Sequence, residues 1–147
     1  MRNFTASEGV FVDTWAWLVL ANRKDPNYPQ VRDLRVASAE RGVAWITTDY
    51  VLDETATRLF ASVPFSAAAK FFDGIFESQQ LESVVIETIN PDRFRAAWKL
   101  RLKYKDKPRI SFTDLTSFVV MRERRIRRVI TGDSHFGQVG LGFQAIP

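Results

Sequence analysis

Short apolar runs alternate with longer helical patterns along the whole chain, and this alternation limits the fold more than any other feature. The runs are Val10–Val12, Val43–Ile46, Ser83–Ile86 and Val129–Thr131, with Phe143–Ile146 as a last one. Most are β-branched and are bounded by polar or turn residues, so they read as buried strands. Strands that alternate with helices form a parallel sheet with right-handed crossovers and helices on both faces. The expected fold class is therefore α/β, a three-layer α/β/α sandwich with a mainly parallel central sheet. The chain has 147 residues, with no internal repeat, low-complexity segment or linker, which fits one domain over 1–147 with a core of its own.

Local signals place the helices between these strands. The spacing predicts helices from Trp15 to about Leu20, and around Val31, Leu34 and Ala37 with Gly42 as the stop. Thr47-Thr48 offers an N-cap to a helix over Asp49–Phe60, which Pro64 ends. Phe65–Gln79 follows, with an apolar stripe of Ala68, Phe72, Ile75 and Phe76. Asn90-Pro91 opens a helix to about Lys103, with Asn90 as cap and Pro91 at the first position. Ser111 opens another. Trp45 and Trp98 are expected in the core.

Composition removes several chemistries. There is no cysteine, so disulfides, thiol nucleophiles and Cys-bound zinc are excluded. A single histidine argues against His-rich metal sites and most His-dependent triads. The net charge of +4 is a mild argument for a polyanionic partner. Val10–Leu20 is apolar but short and interrupted by Asp13, which fits neither a secretory signal nor a membrane span of about 20 apolar residues. A cytoplasmic protein without membrane contact is expected.

Ligands of open parallel sheets gather beyond the carboxyl ends of the strands. Asp13 follows Val10–Val12 directly, Asp133 lies just past Val129–Thr131, Asp114 opens the helix leading into that strand, and Glu54 lies in the helix after Thr48. Each acid alone has an ordinary reading. Asp13 and Asp133 suit turns or helix caps, Ser111-x-x-Asp114 matches a capping box, and helix glutamates are usually solvated. Asp53 is the more solvent-facing of the Asp53–Glu54 pair. Together, four carboxylates at one rim repel each other unless cations neutralise them, and hard ions such as Mg²⁺ or Mn²⁺ prefer oxygen ligands. Such sites use one ion, or two about 4 Å apart, to activate water and steady a leaving oxygen in phosphoester cleavage. The hydroxyls of Thr14, Thr113 and Thr131 could orient acids, water or phosphate, with capping the stronger reading for Thr113.

Four ordered stretches carry a family resemblance: Phe11-Val12-Asp13-Thr14, Thr48-Asp49-Tyr50-Val51-Leu52-Asp53-Glu54, Ser111-Phe112-Thr113-Asp114, and Thr131-Gly132-Asp133-Ser134-His135-Phe136 followed by Gly140. The chain resembles the PIN-domain proteins, and most of all the VapC-type toxins and their relatives. The resemblance implies a parallel sheet flanked by helices, an acidic Mg²⁺/Mn²⁺ site and single-strand-specific endoribonuclease chemistry. It matches the family's four acids to Asp13, Glu54, Asp114 and Asp133, as catalytic and metal-holding residues. It also matches Thr14 to the hydroxyl after the first acid and Thr131 to the Thr of the T-x-D motif. A small antitoxin that sends an Arg or Lys into the cleft is the implied partner. Trp15 departs from the family pattern, which commonly has a small residue there, and so alters the cleft wall.

An acidic centre needs basic flanks to hold a phosphate backbone. The run from Lys99 to Arg109 approaches Asp114 in sequence, so Lys105, Lys107 and Arg109 are the candidate RNA contacts. Arg122, Arg124, Arg125, Arg127 and Arg128 sit at the far end of the Ser111 helix, where a structural or partner role is expected. The aromatic helix Phe65–Gln79 has more apolar residues than one face can bury, leaving some for a homodimer or antitoxin groove. His135 reads as a surface or capping residue. The competing functional class is a non-catalytic RNA-binding or assembly module on the same fold. A phospho-receiver lacks its adjacent acidic pair here, and a haloacid-dehalogenase-like phosphatase lacks its Asp-x-Asp, because Asp13-Thr14-Trp15 stands in that place.

Overall fold

The computed structural model describes residues 9–147. The elements run β1 (Val10–Val12), α1 (Thr14–Leu20), α2 (Tyr28–Arg41), β2 (Trp45–Thr48), α3 (Asp49–Ser62), α4 (Phe65–Gln80), β3 (Val84–Glu87), α5 (Pro91–Lys103), α6 (Phe112–Glu123), β4 (Arg128–Ile130), α7 (His135–Gln138) and β5 (Gln144–Ile146). The five strands form one sheet in the order β3-β2-β1-β4-β5, and every neighbouring pair is parallel. From β1 the chain steps outward through β2 to β3, then returns across the sheet to β4 and continues to β5 on the other side. The order therefore reverses between β1 and β4, and such a switch point opens a crevice beyond the strand ends.

The central strand β1 is fully buried, as expected for a strand with helices on both faces. Phe11, Trp45, Phe118, Phe136, Leu115 and Met121 are among the largest enclosed side chains. The Trp17 indole N–H donates to Thr47 Oγ1 at 3.2 Å, and that hydroxyl donates to the Val12 carbonyl at 3.2 Å. These two bonds pin α1 to both β1 and β2.

The expected elements are all present, with shifts that have local causes. The second strand begins at Trp45 rather than Val43. Gly42 is left-handed (φ 68°) at the end of α2, and the Val43 N–H still bonds back to the Ser38 carbonyl at 2.8 Å. Val43 thus closes the helix before the strand can start. The last strand begins at Gln144, because Phe143 turns inward against Phe118 and Phe136. Trp45 is enclosed as expected, but Trp98 is 53% exposed, which corrects its core assignment. The inner face of α5 is set by Ala97 and Leu100, and a residue one position from Ala97 cannot share it.

Candidate active site

The cleft at the β1/β4 switch point is built by register. Pairing of Phe11 with Val129 and Val12 with Ile130 carries Asp13 and Thr131 to the same rim. The Asp13 N–H continues the ladder to the Ile130 carbonyl at 3.1 Å. Thr131 Oγ1 donates to Asp13 Oδ2 at 2.8 Å and accepts from the Asp133 N–H at 2.9 Å. Asp133 Oδ1 in turn accepts from the His135 N–H at 2.9 Å. One hydroxyl therefore fixes both a carboxylate and the loop that carries the next one. Asp13 occupies the N-cap position of α1 but makes no side-chain cap bond, so its carboxylate is not spent on the helix.

The other acids arrive from α3 and α6. Thr48 caps α3, accepting from the Val51 N–H at 3.0 Å, and Glu54 follows about one and a half turns into the helix. The Thr14 hydroxyl donates to Glu54 Oε2 at 3.1 Å, and Arg58 pairs with Glu54 Oε1 at 3.0 Å. Ser111 Oγ caps α6 by accepting from the Asp114 N–H at 3.0 Å. Only half of the expected capping box forms, because the Asp114 carboxylate faces His135 Nδ1 at 3.4 Å. As expected, Asp53 is exposed while Glu54 is half-buried.

Asp13, Thr14, Glu54, Asp114, Asp133 and Arg109 all line this one cleft, of about 470 Å³, together with Trp15, Arg58, Ser111, Gly132 and Ser134. Thr131 supports it from behind Asp13. Two of the expected basic residues stand apart. Lys107 lines a neighbouring depression and its ammonium pairs with Asp106 at 3.0 Å, while Lys105 is exposed and borders neither hollow. Arg101 spends its guanidinium on the carbonyls of Tyr104, Lys107 and Ile110, which ties down the loop that presents Arg109.

Electrostatics sets this cleft apart from an ordinary set of caps. Asp13 is 5% exposed and Asp114 is 6% exposed. Burial, and then the nearby charges of Asp13 and Asp133, raise the Asp114 carboxyl to about 7 against an opposing contact from His135. Burial also raises Asp13, against the bonds from Thr131 and the Thr14 backbone. Among the described residues no Lys or Arg pairs with Asp13, Asp114 or Asp133. Acids that are buried, mutually repelling and not paired with a Lys or Arg fit a hard divalent cation. Carboxylate oxygens of Asp114 and Asp133 and a ring nitrogen of His135 lie within 4.8 Å of one another. His135 and Arg58 are the residues that the sequence reading did not bring to the site. His135 follows Asp133 by two positions, a signal too short-range to separate a cap from a cleft residue, and Arg58 is visible only as an i,i+4 partner of Glu54.

Comparison with known proteins gives the family of the fold. Residues 10–141 match the PIN domain. The chain is 30% identical over 132 residues to the 23S rRNA-specific endonuclease VapC20 of two Mycobacterium tuberculosis strains, covering 89% of this chain and 94% of the relative. The crystal structure of M. tuberculosis VapC20, a sarcin-ricin loop cleaving toxin, superimposes with a TM-score of 0.73 at 28% identity, covering 89% of this chain and 95% of that one. VapBC2 from Rickettsia felis, solved with a DNA fragment from its promoter, shares the fold at a TM-score of 0.66 and 14% identity, covering 94% of this chain and 97% of that one. A parallel sheet whose reversal gathers acids from β1, α3, α6 and the loop after β4, matched over nearly all its length, places this chain in the PIN domain family.

Proposed function

We propose that this protein is a metal-dependent endoribonuclease that hydrolyses RNA phosphodiester bonds, and that it is the toxin of a toxin–antitoxin pair. The observation that carries the reading is the cleft itself. Asp13 and Asp114, buried and raised, face it together with Asp133, with a single imidazole as their neighbouring base. The 30% identity to VapC20 over most of both chains supports the same chemistry and makes 23S rRNA the first substrate to try.

Asp13, Asp114 and Asp133 would hold Mg²⁺ or Mn²⁺, one ion or two, with Glu54 contributing from α3. When bound, the ion supplies an activated water and neutralises charge at the phosphate. Thr131 holds the Asp13 carboxylate in its orientation, and Thr14 does the same for Glu54. Arg109 and Arg58 provide positive charge at the lip for the RNA backbone. His135 stands beside Asp114 and Asp133, where its imidazole can accept or return a proton.

The proposed protein partners are a small antitoxin and a second copy of the chain. Two apolar faces support them. Phe60, Phe65, Phe72 and Phe76 form a chain of ring contacts over α3 and α4, with Phe65 and Phe76 well exposed, and we assign this face to the antitoxin. Phe94, Trp98 and Leu102 recur every four residues on the outside of α5, and we assign that stripe to the second copy. Among the described residues no helix is long and apolar enough to cross a membrane, and a cytoplasmic location is proposed.

The test is cleavage of ribosomal RNA by the full chain with Mg²⁺ or Mn²⁺, beside a chelator control and Asp13→Asn protein. Discrete cuts made only by the parent with metal are expected. Equal cutting by parent and variant would sink the assignment.

A further inference from the structure

Among the described residues Trp15 is the one large aromatic side chain that lines the cleft. We propose that Trp15 is a stacking wall that selects an unpaired nucleotide and sets its phosphate against the acids, a role that rests on the ribonuclease reading above. Trp15 lies in the first turn of α1, two residues after Asp13, and lines the cleft while half-buried. Its indole is seated on the backbone between Thr131 and Asp133. A Cβ placed on Gly132 would stand 2.6 Å from Trp15 Nε1, 2.8 Å from Cε2 and 2.9 Å from Cδ1. Gly132 therefore makes room for the ring, and the ring has a fixed support beside the two acids.

Two of the other three indoles spend their N–H inside the fold. Trp17 donates its N–H to Thr47, and Trp45 donates to Ser38 at 2.9 Å; both are buried. Among the described residues the Trp15 N–H has no partner, and no ring or cation of the protein rests on its face. No buried side-chain polar atom among the described residues lacks a hydrogen bond, so this N–H opens to solvent. A half-buried indole with an unused donor borders a cleft that already has cations for phosphate in Arg58 and Arg109. That combination of basic groups and a partly exposed aromatic side chain is how proteins hold single-stranded nucleic acid. Every base has a π face, but in a duplex it is covered by its neighbours, so such a wall accepts a base only where the strand is unpaired or the base is turned out.

The experiment uses full-length Asp114→Asn protein to suppress cleavage and Trp98→Phe to remove the exposed indole on α5, leaving Trp15 as the one partly exposed emitter beside the buried Trp17 and Trp45, whose constant emission is fixed by the same titration of Trp15→Phe protein. A short oligoadenylate is titrated against it by intrinsic fluorescence, beside the same strand paired with its complement and an abasic backbone of equal length. The single strand is expected to quench the emission and the duplex to leave it unchanged. Adding Trp15→Ala should weaken single-strand binding, followed by a label on the strand, by about 5- to 150-fold, the range for loss of one base–aromatic stack. Trp15→Phe should recover most of that loss, and the abasic strand should bind equally well with and without the Trp15→Ala change. Two results would overturn the proposal: Trp15→Ala binding within twofold of its parent, or an equal loss with the abasic strand, which would make the role structural. If the unmodified protein cuts RNA with metal in the same series, only the stacking role falls. If it neither cuts nor binds RNA, both readings fall together.

Discussion

Asp114 concentrates the tension in this molecule at the scale of a single side chain. Its carboxyl sits at about 7 because burial and then two neighbouring acids oppose its ionisation. A carboxyl raised above its unfolded value of 3.8 binds protons more tightly in the folded state, so its contribution to stability is greatest at low pH and is lost as pH rises through about 7. The metal-free protein should therefore melt lower at pH 8 than near pH 5, as a thermal scan in chelator will show. Added Mg²⁺ should reverse the loss at pH 8 and have less effect near pH 5, where protons compete for the same oxygens. Asp114→Asn should abolish cleavage and keep or raise the metal-free melting temperature at pH 8, because it removes one of the repelling charges. The cap of α6 is unaffected, since Ser111 bonds the backbone N–H of residue 114 rather than its side chain. A marked fall in melting temperature would mean that the carboxylate is needed to hold the fold.

Elements depend on junctions that the sequence shows only as scattered charges. Glu87 ends β3 and accepts from Arg124 Nε at 2.6 Å, after α6, and from Arg93 at 3.0 Å, on α5; Arg93 also pairs with Glu123. Burial pushes the Glu87 carboxyl up, but the bonds from Arg124 and Arg93 outweigh it and hold it below its ordinary range. Its contribution has the opposite pH sign from that of Asp114: present above the usual glutamate range and lost as pH falls below it. Glu87→Gln should cost about 1–2 kcal/mol, read as a lower urea midpoint with an unchanged slope, and leave cleavage intact because the residue lies outside the cleft. Strands, caps and the order of elements were legible in the sequence because they rest on neighbours: Thr48, Asn90 and Ser111 cap the helices that start beside them. Asp13, Asp114 and Asp133 were legible for the same reason, each sitting close to a strand or helix end, whereas Glu54 was legible only through its place in the helix after Thr48. The outward turn of Trp98, the approach of His135 to Asp114 and the bond from Arg124 to Glu87 depend on partners 21 to 37 residues away or on which helix face packs inward. Periodicity alone does not choose among such partners.

At the scale of the whole molecule, the exposed stripe of Phe94, Trp98 and Leu102, at 44%, 53% and 58%, is apolar surface that the described residues do not cover. If the stripe seats a second copy as proposed, Trp98→Ser with Leu102→Ser should leave thermal stability of the protomer within about 0.5 kcal/mol and convert the proposed dimer to a monomer in sedimentation equilibrium. A pair variant that still sediments as the dimer would move the second copy to another face. The cleft also spans the chain in another sense: the bond between Asp13 and Thr131 joins residues 118 positions apart. Asp13 lacks its orienting hydroxyl, and the sheet lacks β4, until the segment from residue 128 onward has been made and has folded back beside β1. Synthesis from the N-terminus thus delivers the ingredients of the cleft early and its final fastening late. On the proposed ribonuclease reading, a ribosome that has not yet made residues 128–146 carries no fastened cutting centre on its growing chain.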